Sequence, residues 1–335
     1  MYKSWSLDED PRQEWDAVCA PEHDAQVTAT IASNFQKYFD SWLKPKMPEG
    51  EDLLAKLGGK FKVRSARSPV PAARFDGNIL GDAIANYEKM AERYRDFFEA
   101  ERIQEYRDDD PDAFKTDLSK KCPVIQSIVH SKRDQLKEWR MKYNQTPSAE
   151  LLATFERLIS FSDEYITESG DEEQYAQFTQ WEEFDFSGFE EERSGIPGVI
   201  GGGIKSIVLY HLHPRVFPER SGTALYGLYF LTGGSHFRLR SKTSEFLMID
   251  DRQGGADTNM KMDHNYWYSY RLFTSHVKEL ALRISAACEE VGLPFDVDYR
   301  YVYVASFLEH VCEQHPEDVA TMRGGDEMGF GWAAR

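Results

Sequence analysis

Acidic and aromatic side chains cluster in the C-terminal third of the chain. Asp250 and Asp251 follow the apolar run FLMI, and Asp263 precedes the aromatic run NYWYSY. A carboxylate in a cleft can stabilise positive charge that develops during bond cleavage, or activate a nucleophile. Aromatic rings such as Tyr266 and Trp267 can stack on a flat ring. These three carboxylates are therefore candidate catalytic groups, and the two rings are a candidate pocket.

Each of these residues also has a purely structural interpretation. Asp250 and Asp251 stand just before a GG pair, where a cap and a turn are common. Asp263 is suited to N-cap the helix that the following residues predict. The aromatic side chains fit a core or a helix surface as well as a pocket. The sequence leaves both interpretations open.

The densest group of glycines lies in GIPGVIGGGIKS, residues 195–206, directly before the apolar run IVLYHL. Glycine permits positive φ and leaves backbone N–H groups uncovered. When such a turn opens a helix, its amides and the positive helix end form an anion site suited to phosphate. The candidate phosphate-binding residues are Arg193, Gly198, Gly201, Gly203, Lys205 and Ser206.

Other motifs that bind phosphate, metal or substrate are not matched. The glycine run lacks the G-x-x-x-x-G-K-[ST] spacing, and the acidic, helical sequence before GVIGGG does not suit a dinucleotide site. His211 and His213 form an HxH pair with His236 or Asp250 as a possible third ligand. On a helix the two would diverge by about 200°, although on a strand they could share a metal. With neither HExxH nor GxSxG present, we expect neither a metal nor a cofactor.

The glycine-rich stretch resembles part of a known family. IPGVIGGG, Ile196 to Gly203, is similar to the LPGVG hairpin of the helix-hairpin-helix DNA glycosylases, with one residue inserted. The following VFPERSGTALYGLYFL also has the form that those enzymes show after the hairpin helix. The resemblance covers about forty residues, Gly195 to Leu231. It implies that hairpin amides hold a DNA backbone.

The chain departs from that family at two positions. The glycosylases carry an aspartate three residues after FP, where this chain has Ser221, which cannot carry the negative charge. The lysine that some of them use as a nucleophile corresponds to Gly203, two residues before Lys205. A helix followed by HP, FP and a second helix, in that order, also resembles non-catalytic modules of restriction and phage-defence proteins. The resemblance therefore supports DNA binding more directly than it supports the family's catalytic pair.

Charge is distributed unevenly along the 335 residues, which carry a net charge of −17. Phe161 to Glu192 holds twelve acids and no Lys or Arg, whereas Arg193 to Lys242 holds seven bases and one acid. Lys56 to Arg74 adds six bases without an acid. Because salt screens charges beyond about 8–10 Å, a negative total permits locally positive faces. The 56–74 loop can hold phosphates or simply be solvated. The acidic segment is a solvated helix face or a surface for a protein partner.

Hydrophobic periodicity predicts a mainly α protein, a helical bundle with few short strands. SEFLMIDDR and the start of DYRYVYVASFLEHVCEQHP also have strand-like patterns. We expect an N-terminal helical region over residues 1–160, an acidic connector over 161–192, a DNA-binding region over 193–322 and a tail over 323–335. The predicted helices are Asp24 to Lys44, Ile79 to Arg107, Pro123 to Tyr143, Ser148 to Ile159, Tyr175 to Phe189 and a helix after Asp263.

The chain has neither a long apolar run nor a basic, then apolar start, so we expect no contact with a membrane and a cytoplasmic location. Its four scattered cysteines fit reduced thiols. Together these features predict a DNA-binding, glycosylase-like enzyme that removes an altered or modified base, with defence against foreign DNA as one setting. The alternative is a non-catalytic DNA-binding or scaffold component of a restriction or defence assembly.

Overall fold

The computed structural model describes residues 11–44, 79–108, 110–169, 172–191, 194–239, 244–246 and 268–322. These residues are mainly helical, as the sequence predicts, and their one β-type pairing is the isolated bridge between Ile196 and Ile200. The helices are α1 Pro11–Val18, α2 Pro21–Trp42, α3 Ile79–Phe97, α4 Ala100–Asp108, α5 Pro111–Lys121, α6 Pro123–His130, α7 Lys137–Gln145, α8 Ser148–Ser169, α9 Glu172–Gln177, α10 Ser187–Glu190, α11 Gly202–Leu212, α12 Gly222–Leu231, α13 Tyr270–Glu290, α14 Arg300–Glu313 and α15 Pro316–Met322.

The helix starts follow local chemistry. Proline occupies the first turn of α2, α5 and α6, where its missing N–H breaks no helical bond. Asp110 caps α5 by accepting from the amides of Asp112 and Ala113 at 3.0 and 3.1 Å. Ser221 and Ser269 cap α12 and α13 in the same way. These ends can be assigned from sequence because their hydrogen bonds are local.

The helices form two packed groups that share one hydrophobic core. In one group, α12 and α14 pack against each other, and both contact α2, while α13 contacts α2 and α14. In the other group, α5 packs on α4, α6 and α8. The helix α3 lies between the groups, because it contacts α14 as well as α5 and α6; α11 contacts α3, α6 and α8. The elements around residues 202–224 therefore lie where the two groups meet.

The predicted helix from Ile79 to Arg107 is two helices. The chain turns after α3, at Phe98 and Glu99. The adjacent rings of Phe97 and Phe98 are both buried, and they pack on different partners: Phe97 lies 5.7 Å from Phe114, and Phe98 lies 5.3 Å from Phe155. One continuous helix would direct adjacent side chains about 100° apart. The turn therefore lets both rings enter the core.

The predicted helix from Pro123 to Tyr143 is also interrupted. The α6 helix ends at His130, and a 3-10 turn at Asp134–Leu136 leads into α7. The guanidinium of Arg140 donates to the carbonyl oxygens of Ser131 at 2.6 Å and of Arg133 at 3.2 Å. These carbonyl oxygens lie where the helix is interrupted. The side chain of Arg140 therefore supplies the hydrogen bonds that a continuous helix would have given them.

The predicted helix from Tyr175 to Phe189 is not one continuous helix. Between Tyr175 and Phe189 the chain forms the end of α9, a 3-10 turn at Trp181–Glu183 and the short helix α10. Phe184, Phe186 and Phe189 are all buried, at a spacing that one helix cannot place on one face. Asp185 between them is exposed. Insertion of alternate aromatic rings into the core therefore overrides the helical pattern.

The strand-like alternation at the start of DYRYVYV is helical. A 3-10 turn at Val297–Tyr299 leads directly into α14. All four residues from Tyr301 to Val304 are buried, because this end of α14 is surrounded by neighbouring helices. A helix buried on all sides shows no 3.6-residue pattern. The second strand-like run, SEFLMIDDR, lies largely outside the described residues.

The close approach of α12 and α14 depends on Gly227. A Cβ at this position would lie 2.8 Å from both Cβ and the carbonyl oxygen of Leu308. We expect Gly227→Ala to destabilise the protein by about 1–3 kcal/mol, because backbone must move to accept the methyl group. In Gly202→Ala, the new Cβ would meet only an ordinary contact at 3.9 Å, so this variant should be neutral. Denaturant unfolding of both variants measures the difference, and equal stabilities would contradict the packing argument.

Candidate functional site

A polar cleft of about 210 Å³ lies between α3, α11, the segment before α12, and α14. Its walls combine apolar side chains with carboxyl, hydroxyl, amide and imidazole groups. The polar lining residues are Asn86, Tyr87, Tyr210, His211, Glu219, Ser221, Thr223, Ser306 and Glu309. A concave site with a few convergent polar groups is the usual form of a binding or active site.

Glu219 is the most perturbed acid of the cleft. The pKa of its carboxyl is raised to about 7, mainly by burial; a hydrogen bond from the Ser221 hydroxyl opposes the rise, and the charge of Glu309 adds to it. The side chain nevertheless keeps partial exposure, as a group facing a cleft should. Near neutral pH this carboxyl is therefore present in both protonated and ionised forms, which suits proton transfer.

Ser221 holds the cleft wall in place. Its hydroxyl oxygen accepts from the amide of Ala224 at 3.2 Å and so caps α12. The same hydroxyl donates to the carboxylate of Glu219. Ser221 thus has a structural role, and a carboxyl group of the cleft wall comes from Glu219, two residues earlier.

His211 forms an uncharged part of the wall. Its ring stacks on Tyr94 with centroids 4.2 Å apart and is nearly parallel to Tyr87 at 5.8 Å. Nδ1 lies 2.8 Å from the carbonyl oxygen of Ile207, to which it donates as the protonated nitrogen of the neutral ring. Burial lowers the pKa of His211 to about 4. The ring therefore stays neutral at physiological pH.

The hairpin before α11 is a tight Pro-Gly turn. Gly198 has φ +71°, and the amide of Val199 donates to the carbonyl oxygen of Ile196 at 2.9 Å, as in a type II turn. Across the bridge, the amides of Ile196 and Ile200 each donate to the carbonyl oxygen of the other residue. The indole of Trp139 on α7 donates to Val199 O at 2.7 Å. The amides of Ile196, Val199 and Ile200 are thus bonded within the hairpin. The helix that precedes the hairpin, α10, has only four residues.

Gly201 and Gly203 lie at the start of α11, where amides have no partner within the helix. Gly201 is the N-cap residue, without a side chain to cap the helix, and is exposed. Gly203 accepts from the Ser206 hydroxyl at 2.9 Å through its carbonyl oxygen. Of the candidate phosphate-binding residues, these two glycines have the geometry that the prediction requires.

Lys205 and Ser206 point into the protein instead. Lys205 is 5% exposed, and its ammonium donates to the carbonyl oxygen of Phe189 and to Ser194 Oγ, the latter at 2.7 Å. Burial lowers its pKa to about 8. Ser206 is fully buried, and its hydroxyl oxygen accepts from the amide of Arg220 at 3.2 Å. Direct contact of these two side chains with an external phosphate, as expected from the sequence, does not fit this geometry.

The remaining predicted site residues lie outside the described residues. These are the candidate catalytic acids, the aromatic pocket, one candidate phosphate ligand and the basic loop: Asp250, Asp251, Asp263, Tyr266, Trp267, Arg193 and residues 56–74. Their roles stay predictions.

The HxH pair does not form a shared metal site. His211 is buried against tyrosine rings, whereas His213, past the end of α11, lies 4.0 Å from Asp163. In the described part of the chain, no three His, Cys, Asp or Glu side chains are grouped so that they could hold a metal ion. The described helices also include none with the length and apolar character needed to cross a bilayer.

Sequence reasoning missed Glu219 and Glu309 as site residues. Glu219 had one signal: it is the lone acid in the basic stretch from Arg193 to Lys242. Glu309 is an isolated acid in the apolar pattern SFLEHV of α14. Neither signal could show that the two share a cleft, because 90 residues separate them and the packing of α12 on α14 brings them together.

Comparison of the chain with protein-family models, curated proteins and solved structures found no match.

The raised pKa of Glu219 makes stability depend on pH. Between its ordinary value of 4.5 and about 7, the unfolded chain loses this proton more readily than the folded chain, so stability falls as pH rises through that window. Glutamine cannot ionise. We expect Glu219→Gln to be more stable than the wild type by about 1–2 kcal/mol at pH 8 and similar to it at pH 4.5.

Urea unfolding at the two pH values measures this difference, with the exposed Glu290→Gln as the matched control. A pH-independent difference between the wild type and Glu219→Gln would contradict the assignment.

Proposed function

We propose that the protein binds DNA and hydrolyses the bond between a sugar and an altered or modified base that is extruded into the polar cleft. The observation that carries this proposal is the cleft itself, which combines Glu219, a carboxyl with a pKa of about 7, with a second carboxyl, Glu309. Paired carboxyl groups with different environments are the usual acid and base of glycosidic bond hydrolysis.

The two carboxyl groups have separate roles in this proposal. Protonated Glu219 donates its proton to the departing base as the C–N bond breaks. The carboxylate of Glu309 stabilises the positive charge that develops on the sugar, and it accepts a proton from the water that forms the new C–O bond. Transfer of that proton back to Glu219 through solvent restores the starting state. The flat, neutral wall of His211 and Tyr87 suits a base.

The DNA backbone would follow α11 towards the hairpin. From Gly203 to Tyr210 the helix rises about 10 Å, so the glycine-rich start and the cleft lie at opposite ends of one element. The side chain of Lys142, paired with Glu138 at 3.0 Å, lies next to Gly198, and Lys132 and Lys137 in the same stretch of sequence are exposed. Exposed lysines beside a turn suit phosphate contacts.

Catalysis can be tested by incubating the protein with DNA strands that carry natural or modified bases, and measuring abasic sites. We expect abasic sites on at least one substrate, with a rate that falls above pH 7 as Glu219 ionises. Glu219→Gln and Glu309→Gln should each lower the rate by about 10²-fold or more, whereas Glu290→Gln should not. A fully active Glu219→Gln would remove Glu219 from the mechanism.

DNA binding can be tested through its dependence on salt. Each lysine that contacts a phosphate contributes about 0.9 to the slope of log affinity against log salt concentration for B-DNA. We expect the double variant Lys132→Gln/Lys137→Gln to lower the slope by about 2. The control is Lys37→Gln/Lys44→Gln, which replaces two exposed lysines, Lys37 on α2 and Lys44 just after its end. Equal slopes in both variants would place the DNA elsewhere.

The second candidate is a non-catalytic DNA-binding component of a restriction or defence assembly. Ser221 favours this candidate, because it caps α12 at the position where the DNA glycosylases that the segment resembles carry an aspartate. Binding without abasic sites on any substrate would select this candidate. In both cases we propose a cytoplasmic protein, because its four cysteines are free thiols, and the acidic segment 161–192 remains a proposed surface for a protein partner.

A further inference from the structure

Arg220 is a buried cation between α11 and α12. The side chain is 8% exposed. Its Nη2 donates to the carbonyl oxygen of Tyr268 at 2.5 Å, and the guanidinium lies 5.6 Å from the centroid of the Tyr268 ring. Its own backbone amide donates to Ser206 Oγ. The residue is therefore held firmly, with one of its five side-chain N–H groups used for a protein carbonyl.

The charge of Arg220 lacks a partner of opposite sign in the described part of the chain. Its Nε is buried and makes no hydrogen bond. Glu190 is the acid with the main influence on Arg220, and its carboxylate is bonded to Arg271 Nε at 2.8 Å. Burial accordingly lowers the pKa of Arg220. A buried charge without a counter-charge is strongly unfavourable, and this indicates that an anion beyond the described residues completes the site.

The guanidinium faces the start of α11. A Cβ built on Gly202 would lie 3.9 Å from Arg220 Nη1, so this nitrogen is next to the first turn of the helix. The first-turn amides carry the positive end of the helix dipole and have no partner within the helix. Gly201 provides no side-chain cap, and a Cβ at this position would meet nothing within 4 Å. Among the described residues, no atom therefore occupies the place that a Cβ at Gly201 would take.

Lys205 increases the positive charge of this region. Its buried ammonium is bonded to a carbonyl and a hydroxyl group, both uncharged. Two buried cations and a helix N-terminus thus share one region, and neither cation has a carboxylate within ion-pair distance among the described residues.

We propose that Arg220 and the first-turn amides of α11 form a binding site for a phosphate group. The planar guanidinium can donate two parallel hydrogen bonds to phosphate oxygens, and the amides of Gly202 and Gly203 can donate to the others. The ligand chemistry is a phosphate mono- or diester, from a DNA backbone or from a free nucleotide. This site uses Arg220 and the start of α11, whereas the catalytic proposal uses the side chains of the adjacent Glu219 and of Glu309, so the two proposals can fail separately.

The decisive variant supplies the missing anion from within the chain. Gly201 has φ −103° and ψ −178°, an extended conformation that any residue adopts at an N-cap. An aspartate there is well placed to cap the α11 amides and neutralise Arg220. We expect Gly201→Asp to fold and to raise the unfolding temperature in phosphate-free buffer. The matched control is Gly201→Asn, which has nearly the same shape without the charge.

The response to phosphate is measured as the shift of the unfolding temperature on adding inorganic phosphate, compared with sodium chloride of equal ionic strength. A ligand that binds only the folded state should raise the wild-type midpoint by about 2 °C or more at saturation. Gly201→Asp should lose this shift, Gly201→Asn should retain part of it, and Glu219→Gln should retain all of it. A short oligonucleotide without terminal phosphates tests the diester.

A shift with the oligonucleotide alone, lost in Gly201→Asp, assigns the site to the DNA backbone. A shift with inorganic phosphate that is lost in the same variant assigns it to a free phosphate or a nucleotide monoester. The proposal is overturned if neither ligand raises the unfolding temperature more than sodium chloride does. It is also overturned if the shift is the same in Gly201→Asp as in the wild type. Loss of base removal with an intact phosphate response would overturn only the catalytic proposal.

Discussion

The burial of Arg220 is the constraint on which the region around α11 depends. Its amide is bonded to Ser206 on α11, its guanidinium to the carbonyl oxygen of Tyr268 before α13, and its neighbour Ser221 caps α12. One residue thus connects three helices. Because residues 219 and 221 flank it, anchoring Arg220 also determines where Glu219 and Ser221 lie, and so it defines one wall of the cleft.

The two ends of α11 use burial in opposite ways. At the start of the helix, the buried Arg220 and Lys205 have no carboxylate partner within the described ranges, which favours an anion. At the other end, burial of Glu219 beside Glu309 disfavours negative charge and keeps a proton available near neutral pH. Both arrangements are unfavourable for stability by themselves. Such groups are concentrated at functional sites, where the same cost is repaid by ligand binding or proton transfer.

Local signals and tertiary packing contributed differently to what could be predicted. The helix predicted from Asp24 to Lys44, observed as Pro21–Trp42, was evident because its apolar residues repeat at helical spacing. The turn at Gly198 was evident because Pro-Gly favours it. The breaks after Phe97 and after His130 were not evident from the sequence. They depend on the packing of Phe97 and Phe98 on other helices and on hydrogen bonds from Arg140. Buried α14 showed a strand-like pattern for the same kind of reason.

By itself the sequence determined the helical class, the caps and the glycine-rich start of α11, since each depends on hydrogen bonds and periodicity within a few residues. It could not place Glu219 beside Glu309, because only the packing of α12 on α14 at Gly227 joins them. Nor could it separate Lys205, which turns inward to a carbonyl, from Arg220, which faces the helix N-terminus. The direction of a charged side chain is decided by the neighbours that tertiary structure supplies.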